Sequence, residues 1–190
     1  MVEQIIVFDL EATCFRLHKP PPQEIIEIGA VKINRDGEEI SRFHCHVKPV
    51  IAPKLSRFCR KLTGISQVQV ERADEFIYVI DEFEDWINET SKEAVLTSWG
   101  RYDFNQLHLE SKRNDHILQR NYKHFPLNEQ HAKIAGTNQP IGLANALKLC
   151  NLEFKGDPHG ALDDAINAAR IFQEFKEHWK IKEPHFTPML

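Results

Sequence analysis

The sequence predicts a mixed α/β domain in which three antiparallel strands come first and helices flank the sheet. Two patterns carry this expectation. Three strand-like runs follow one another at 3–11, 23–34 and 39–48, an order that argues for a meander. Apolar residues then recur at helical spacing: Phe76, Ile80, Phe83 and Ile87, with Val79 and Trp86 on the same side, and later Leu162, Ala165, Ala169 and Phe172.

Taken in order, Glu3 to Glu11 (EQIIVFDLE) is apolar and β-branched before it turns acidic, which suits a buried strand ending at a site. Pro20-Pro21-Pro22 marks the following loop. Gln23 to Asn34 reads as a second strand, and Arg35-Asp36-Gly37 turns the chain into a third, Glu39 to Lys48. Lys54 to Leu62 reads as a short helix stopped at Thr63-Gly64. Asp74 to Thr90 reads as a longer one, with Phe83 and Trp86 in the core. Ala94 to Trp99 has strand character, and Gly100 opens a turn before a polar helix at Asn105 to Arg113. Further helices are expected at Gly142 to Leu149 and Ala161 to Trp179.

With 190 residues, 42% of them hydrophobic and 27% charged, the chain fits one globular domain. We place that domain at 1–180 and a C-terminal tail, with Pro184 and Pro188, at 181–190. Apolar runs of a few residues, such as Ile5-Ile6-Val7-Phe8, are far short of the roughly 20 that span a bilayer. Glu3 stands where a signal peptide wants a basic residue, so a cytoplasmic protein without membrane association is expected. Cys14, Cys45, Cys59 and Cys150 form no C-x-x-C pair and read as reduced thiols.

Charge is segregated along the chain. Ile40 to Val70 contains no acid but carries Arg42, Lys48, Lys54, Arg57, Arg60 and Lys61. Glu71 to Glu93 holds nine acids against Arg72 and Lys92. A fold that separates these blocks has a positive surface suited to a polyanion, whereas two solvated faces would be the ordinary outcome.

Three elements carry chemistry. Asp9 and Glu11, two apart on a strand, share one face, and paired carboxylates call for a proton or a hard cation such as Mg²⁺ or Mn²⁺. His159-Gly160-Ala161-Leu162-Asp163-Asp164 places a His before a helix and acids in its first turn. Trp99-Gly100-Arg101-Tyr102-Asp103 brings an acid to another helix start. Each alone has a plain structural explanation, as a solvated strand end, a dipole-complementing acid or an N-cap. Together they weigh more.

The motifs Phe8-Asp9-Leu10-Glu11-Ala12-Thr13-Cys14, Glu27-Ile28-Gly29-Ala30-Val31, Leu62-Thr63-Gly64-Ile65, Tyr102-Asp103 and His159-Gly160-Ala161-Leu162-Asp163-Asp164-Ala165 run in this order over residues 4–176. In this the chain resembles the DEDDh exonucleases of the DnaQ-like, ribonuclease H-like superfamily. Cys14 after Thr13, and Leu55-Ser56-Arg57-Phe58-Cys59, make it similar to the Eri and KapD-like branch, whose members trim RNA 3′ ends. The third acid differs in placement: in several Eri-type relatives it follows a Trp directly, whereas here Gly100 follows Trp99.

The resemblance implies a ribonuclease H-like mixed sheet and a 3′–5′ exonuclease acting on single-stranded 3′ ends, with RNA favoured over DNA and nucleoside 5′-monophosphates released. It implies Asp9, Glu11, Asp103 and Asp164 as ligands of two divalent metal ions, Mg²⁺ or Mn²⁺, and His159 as general base. Asp164 is preferred to Asp163 because the family spaces its acid five residues after the His. Leu10, Ala12 and Thr13 are expected to line the substrate pocket, and an aromatic such as Tyr102 or Phe15 to stack on terminal bases. The basic block would meet phosphates, and targeting is left to a protein partner. His44-Cys45-His46 puts two imidazoles on one strand face, but no nearby second pair completes four zinc ligands.

Overall fold

The structure, a computed structural model, describes residues 4–34, 36–89, 94–119 and 122–180. Five strands form one sheet: β1 (Gln4–Ala12), β2 (Ile25–Asn34), β3 (Glu39–His46), β4 (Ala94–Ser98) and β5 (His124–Pro126), in the order β3-β2-β1-β4-β5. β1 and β2 pair antiparallel, as do β2 and β3, while β4 runs parallel to both β1 and β5. This is the ribonuclease H-like mixed sheet, with the expected meander as one half.

Seven helices lie among the described residues: α1 (Arg57–Thr63), α2 (Gln67–Arg72), α3 (Phe76–Asn88), α4 (Tyr102–Arg113), α5 (Leu127–Ile134), α6 (Leu143–Leu149) and α7 (Ala161–Glu174). Alternate side chains of β1 feed two cores. Ile5 and Val7 pack with Ala165, Ala168 and Phe172 of α7, while Ile6, Phe8 and Leu10 pack with Val79, Ile80 and Phe83 of α3. Cover on both faces explains why β1 reads as an unbroken apolar run. Burying each Ile, Val or Phe contributes about 1.5–3 kcal/mol. Phe83 and Trp86 are core residues, as their stripe predicts.

Several boundaries differ from expectation. α4 starts at Tyr102 rather than Asn105, so Asp103 sits in its first turn. α7 ends at Glu174, and the chain beyond folds back so that Trp179 stacks on Phe172 at 5.4 Å. α2, β5 and α5 are elements that pattern alone does not show. α2 is six residues set by a capping box between Ser66 and Gln69, and β5 has only three residues, too few to display alternation. Glu3, Arg35, Thr90 and the tail at 181–190 lie outside the described residues. No helix among the described residues is long and apolar enough to cross a membrane.

Candidate active site

Asp9 and Glu11 follow Ile5 and Val7 in the alternation of β1, so both face the α7 side. Across β2 they pair with Gly29 and Glu27. Gly29 decides how closely α7 approaches: a β-carbon there would lie 2.2 Å from the carbonyl carbon of Ala161. Only a residue without one lets the helix start rest on the sheet. Glu27 then fixes that start, its Oε2 accepting the Ala161 N–H at 2.8 Å.

This docking brings the second element over the first. Glu11, His159 and Asp164 each offer an atom, and these atoms all lie within 4.8 Å of one another. Asp164 Oδ2 accepts the backbone N–H of His159 at 3.2 Å. His159 holds a left-handed φ of 66°, which turns the chain sharply into α7 and costs a non-glycine residue about 1 kcal/mol. Asp163 does different work: its Oδ2 accepts the N–H of Asp157 at 2.8 Å and secures the preceding turn. Asn167, fully buried, bonds both the N–H and the carbonyl of Lys155 and so clamps the same loop to α7.

Asp103 arrives from the other side. Parallel pairing of β1 and β4 puts their C-terminal ends side by side, and α4 begins four residues after β4 ends. Asp103 Oδ1 accepts the N–H of Leu10 at 3.3 Å, which places it beside Asp9 and Glu11. Trp99 is engaged elsewhere, its indole N–H donating to the Ile141 carbonyl at 2.9 Å.

Four carboxylates so close disturb one another. Burial, then the charges of Asp103, Asp164, Glu11 and Glu27, hold Asp9 well above the usual carboxylate range. Burial and the neighbouring Asp164 push Glu11 up to about 8. Burial raises Asp103 to about 6 against hydrogen bonds from backbone N–H groups and Ser98, and raises Asp164 to about 6 against the His159 N–H. Such a cluster is poorly disposed to be fully ionised without a counter-charge, and its donors are all hard oxygens. The residues present therefore fit divalent cations of the Mg²⁺ or Mn²⁺ type.

The expected substrate-lining residues divide. Leu10, Ala12 and Thr13 are buried, so only their backbone can face a ligand. Thr13 has little to offer even there: its N–H donates to the Glu24 carbonyl, its own carbonyl accepts from Gln23, and its hydroxyl accepts the Glu24 N–H. It builds the wall. Tyr102 is 47% exposed, with its hydroxyl donating to Gln23 Oε1 at 3.2 Å. Burial of the hydroxyl end and the acids around it push that phenol up to about 12, so it stays neutral.

α1 flanks the end of β1, since the Ser56 hydroxyl donates to the Cys14 carbonyl at 2.7 Å. Its Arg57, Arg60 and Lys61 are exposed. The acids Asp81, Glu82 and Asp85 lie on α3, which packs on the sheet face opposite α7, so the two charge blocks are kept on different elements. Glu27, Gly29 and Asn167 position the site without a role that spacing assigns; the one available signal was the Glu27-Ile28-Gly29 motif itself.

The profile of the exonuclease family matches residues 6–172. Among similar curated proteins, ERI1 exoribonuclease 2 of Xenopus laevis is 30% identical over 190 residues, covering 89% of this chain and 28% of that protein. The human 3'-5' exoribonuclease 1 is 31% identical over 186 residues, covering 89% of this chain and 51% of its own. The chain thus spans about half or less of the length of these relatives. Among solved structures, the nuclease domain of 3'hExo, a DEDDh family member bound to rAMP, superposes with a TM-score of 0.84 at 29% identity. That match covers 96% of this chain and 97% of the other. With its acids drawn from β1, α4 and α7 in the order the motif demands, the chain belongs to the exonuclease family, as a DEDDh member of the Eri branch.

Proposed function

We propose that this protein is a metal-dependent 3′–5′ exonuclease that hydrolyses phosphodiester bonds from the 3′ end of single-stranded RNA and releases nucleoside 5′-monophosphates. The observation that carries the reading is the meeting of Asp9, Glu11, Asp103 and Asp164 beside His159 at the end of β1. The names of the relatives, exoribonucleases, and the rAMP of the similar nuclease domain favour RNA.

In this reading the four carboxylates would hold two divalent ions, which would supply charge neutralisation on the phosphoryl group and its leaving oxygen. Burial and mutual repulsion among the acids leave the cluster in need of a counter-charge, which such ions would supply. His159 takes the proton of the attacking water, its imidazole kept near Glu11 and Asp164 by the left-handed turn at its own backbone. The backbone at Leu10 and Ala12 walls the pocket, and the exposed ring of Tyr102 stacks on the terminal base. α1 meets phosphates on the 5′ side with Arg57, Arg60 and Lys61. A cytoplasmic setting and a targeting protein partner belong to the same proposal.

The test is a gel assay with 5′-labelled single-stranded RNA and matched DNA in Mg²⁺, Mn²⁺ or EDTA, comparing wild type with Asp9→Ala. A metal-dependent ladder shortening from the 3′ end, faster on RNA and absent in the variant, is expected. Binding without shortening would instead make the chain a non-catalytic nucleic-acid-binding domain, and faster loss of DNA would overturn the substrate.

A further inference from the structure

β3 presents His44 and His46 on one face, and the antiparallel register sets His46 directly opposite Glu27 of β2. Sequence spacing offers this pair no third ligand; the fold supplies one from the neighbouring strand. Nε2 of His44 lies 2.7 Å and Nε2 of His46 3.7 Å from Glu27 Oε1. The Glu27 side chain is 7% exposed, that of His46 21% and that of His44 41%, so the group is anchored at the back and open in front.

We propose that Glu27, His44 and His46 form a binding site for a borderline transition-metal ion, Zn²⁺ above all, separate from the acid cluster of the nuclease site. Two imidazoles and one carboxylate are a ligand set that such ions prefer and that Mg²⁺ does not, and the open side leaves a fourth position for water. Zinc bound to nitrogen and oxygen at about 2.0–2.2 Å sets tetrahedral donors about 3.3 Å apart. The two spacings to Glu27 Oε1 bracket that value, and all three donor atoms lie within 4.8 Å of one another.

The surroundings already orient one of the ligands. Glu27 Oε2 accepts the Ala161 N–H at 2.8 Å, which holds the carboxylate with Oε1 toward the imidazoles. Gln69 Oε1 is taken by the backbone N–H and hydroxyl of Ser66, so its amide nitrogen donates to His46 Nε2 at 3.1 Å. A metal at Nε2 takes the lone pair that accepts this bond, so the Gln69 amide must turn away as the ion binds. A cation here would tie β3 through Glu27 to the start of the helix that carries Asp164.

The proposal does not depend on nuclease activity, and neither does its test. The full chain carrying Asp9→Ala and Asp164→Ala, which depletes the acid cluster, is titrated with Co²⁺ and followed by visible absorption. One equivalent is expected to bind, to be displaced by Zn²⁺ and to resist a large excess of Mg²⁺. Adding His44→Ala and His46→Ala should weaken Co²⁺ binding at least tenfold. Absence of binding, or binding unchanged by the histidine substitutions, would overturn the site. Should those substitutions disturb folding, zinc-edge X-ray absorption on the histidine-intact protein decides: scattering from two imidazoles supports the site, and an oxygen-only shell rejects it.

Discussion

Gly29 of β2 and Leu162 of α7 touch backbone to backbone, so that a β-carbon on Gly29 would come 2.1 Å from the Leu162 nitrogen. Nothing on a rigid strand and a helix start can yield by that much without moving the helix. Gly29→Ala is therefore expected to destabilise the protein by about 3 kcal/mol and to lower kcat by more than it raises KM, because Asp164 and His159 move with α7. Chemical denaturation and steady-state kinetics on one preparation check both. A variant with wild-type stability and turnover would show that α7 docks elsewhere.

Protons and cations compete for the acid cluster. Glu11 at about 8, and Asp103 and Asp164 at about 6, all lie above their ordinary values of 4.5 and 3.8. The folded state therefore binds protons more tightly than the unfolded state, and the sign follows from linkage. This contribution is full below about pH 4 and is lost as pH rises through the folded values toward 8. In EDTA the melting temperature should fall between pH 5 and 8, and Mg²⁺ or Mn²⁺ should restore it.

Asp9→Asn removes the most crowded of these charges. In EDTA at pH 8 the variant is expected to be more stable than wild type, while its nuclease activity is lost. Thermal melts with and without metal separate the two effects. Equal stability in EDTA would mean that the carboxylates do not repel as their placement requires.

His159 joins a strained backbone to a reactive ring. His159→Ala and His159→Gly should both lower kcat by about 100-fold or more, and both should keep the thermal shift caused by Mg²⁺ or Mn²⁺. At its φ of 66° glycine is at ease and alanine is not, so the Gly variant should be the more stable by about 1 kcal/mol. A loss of the metal-induced shift in either would make the imidazole a ligand rather than a base.

Phosphate contacts by α1 have an ionic-strength signature. Replacing Arg57, Arg60 and Lys61 together by Ala should flatten the dependence of log KM on log salt by about 0.7 per cation for a single strand, with kcat little changed. An unaltered slope would move the polyanion path to another face.

How much of this was legible in the sequence follows physical scale. β1 was plain because burial on both faces writes an apolar run, β2 because apolar residues dominate it despite Glu27 and Lys32, and α3 because its stripe repeats over thirteen residues. β5 and α5 were not, since three residues cannot alternate and LNEQHAKI has a weak apolar face. Asp9 and Glu11 were readable from local spacing, whereas Asp164 was separated from Asp163 only through the resemblance. Asp103 depended on where α4 begins, which turns on one loop. The work of Glu27 was hidden because its partners, Ala161 and His44, are its neighbours only after the sheet and α7 have come together.

The parallel pairing of β1 with β4 and the late position of α7 give the site an order of assembly. Its acids stand at residues 9, 11, 103 and 164, and those in β1 gain their last neighbour only when α7 lies down across Gly29. A chain still being synthesised, or one cut before residue 161, holds the early acids but lacks the helix that completes both their company and the core over Ile5 and Val7. In the proposed reading, competence to cut nucleic acid is thereby tied to completion of the fold, and a half-built copy has no working edge.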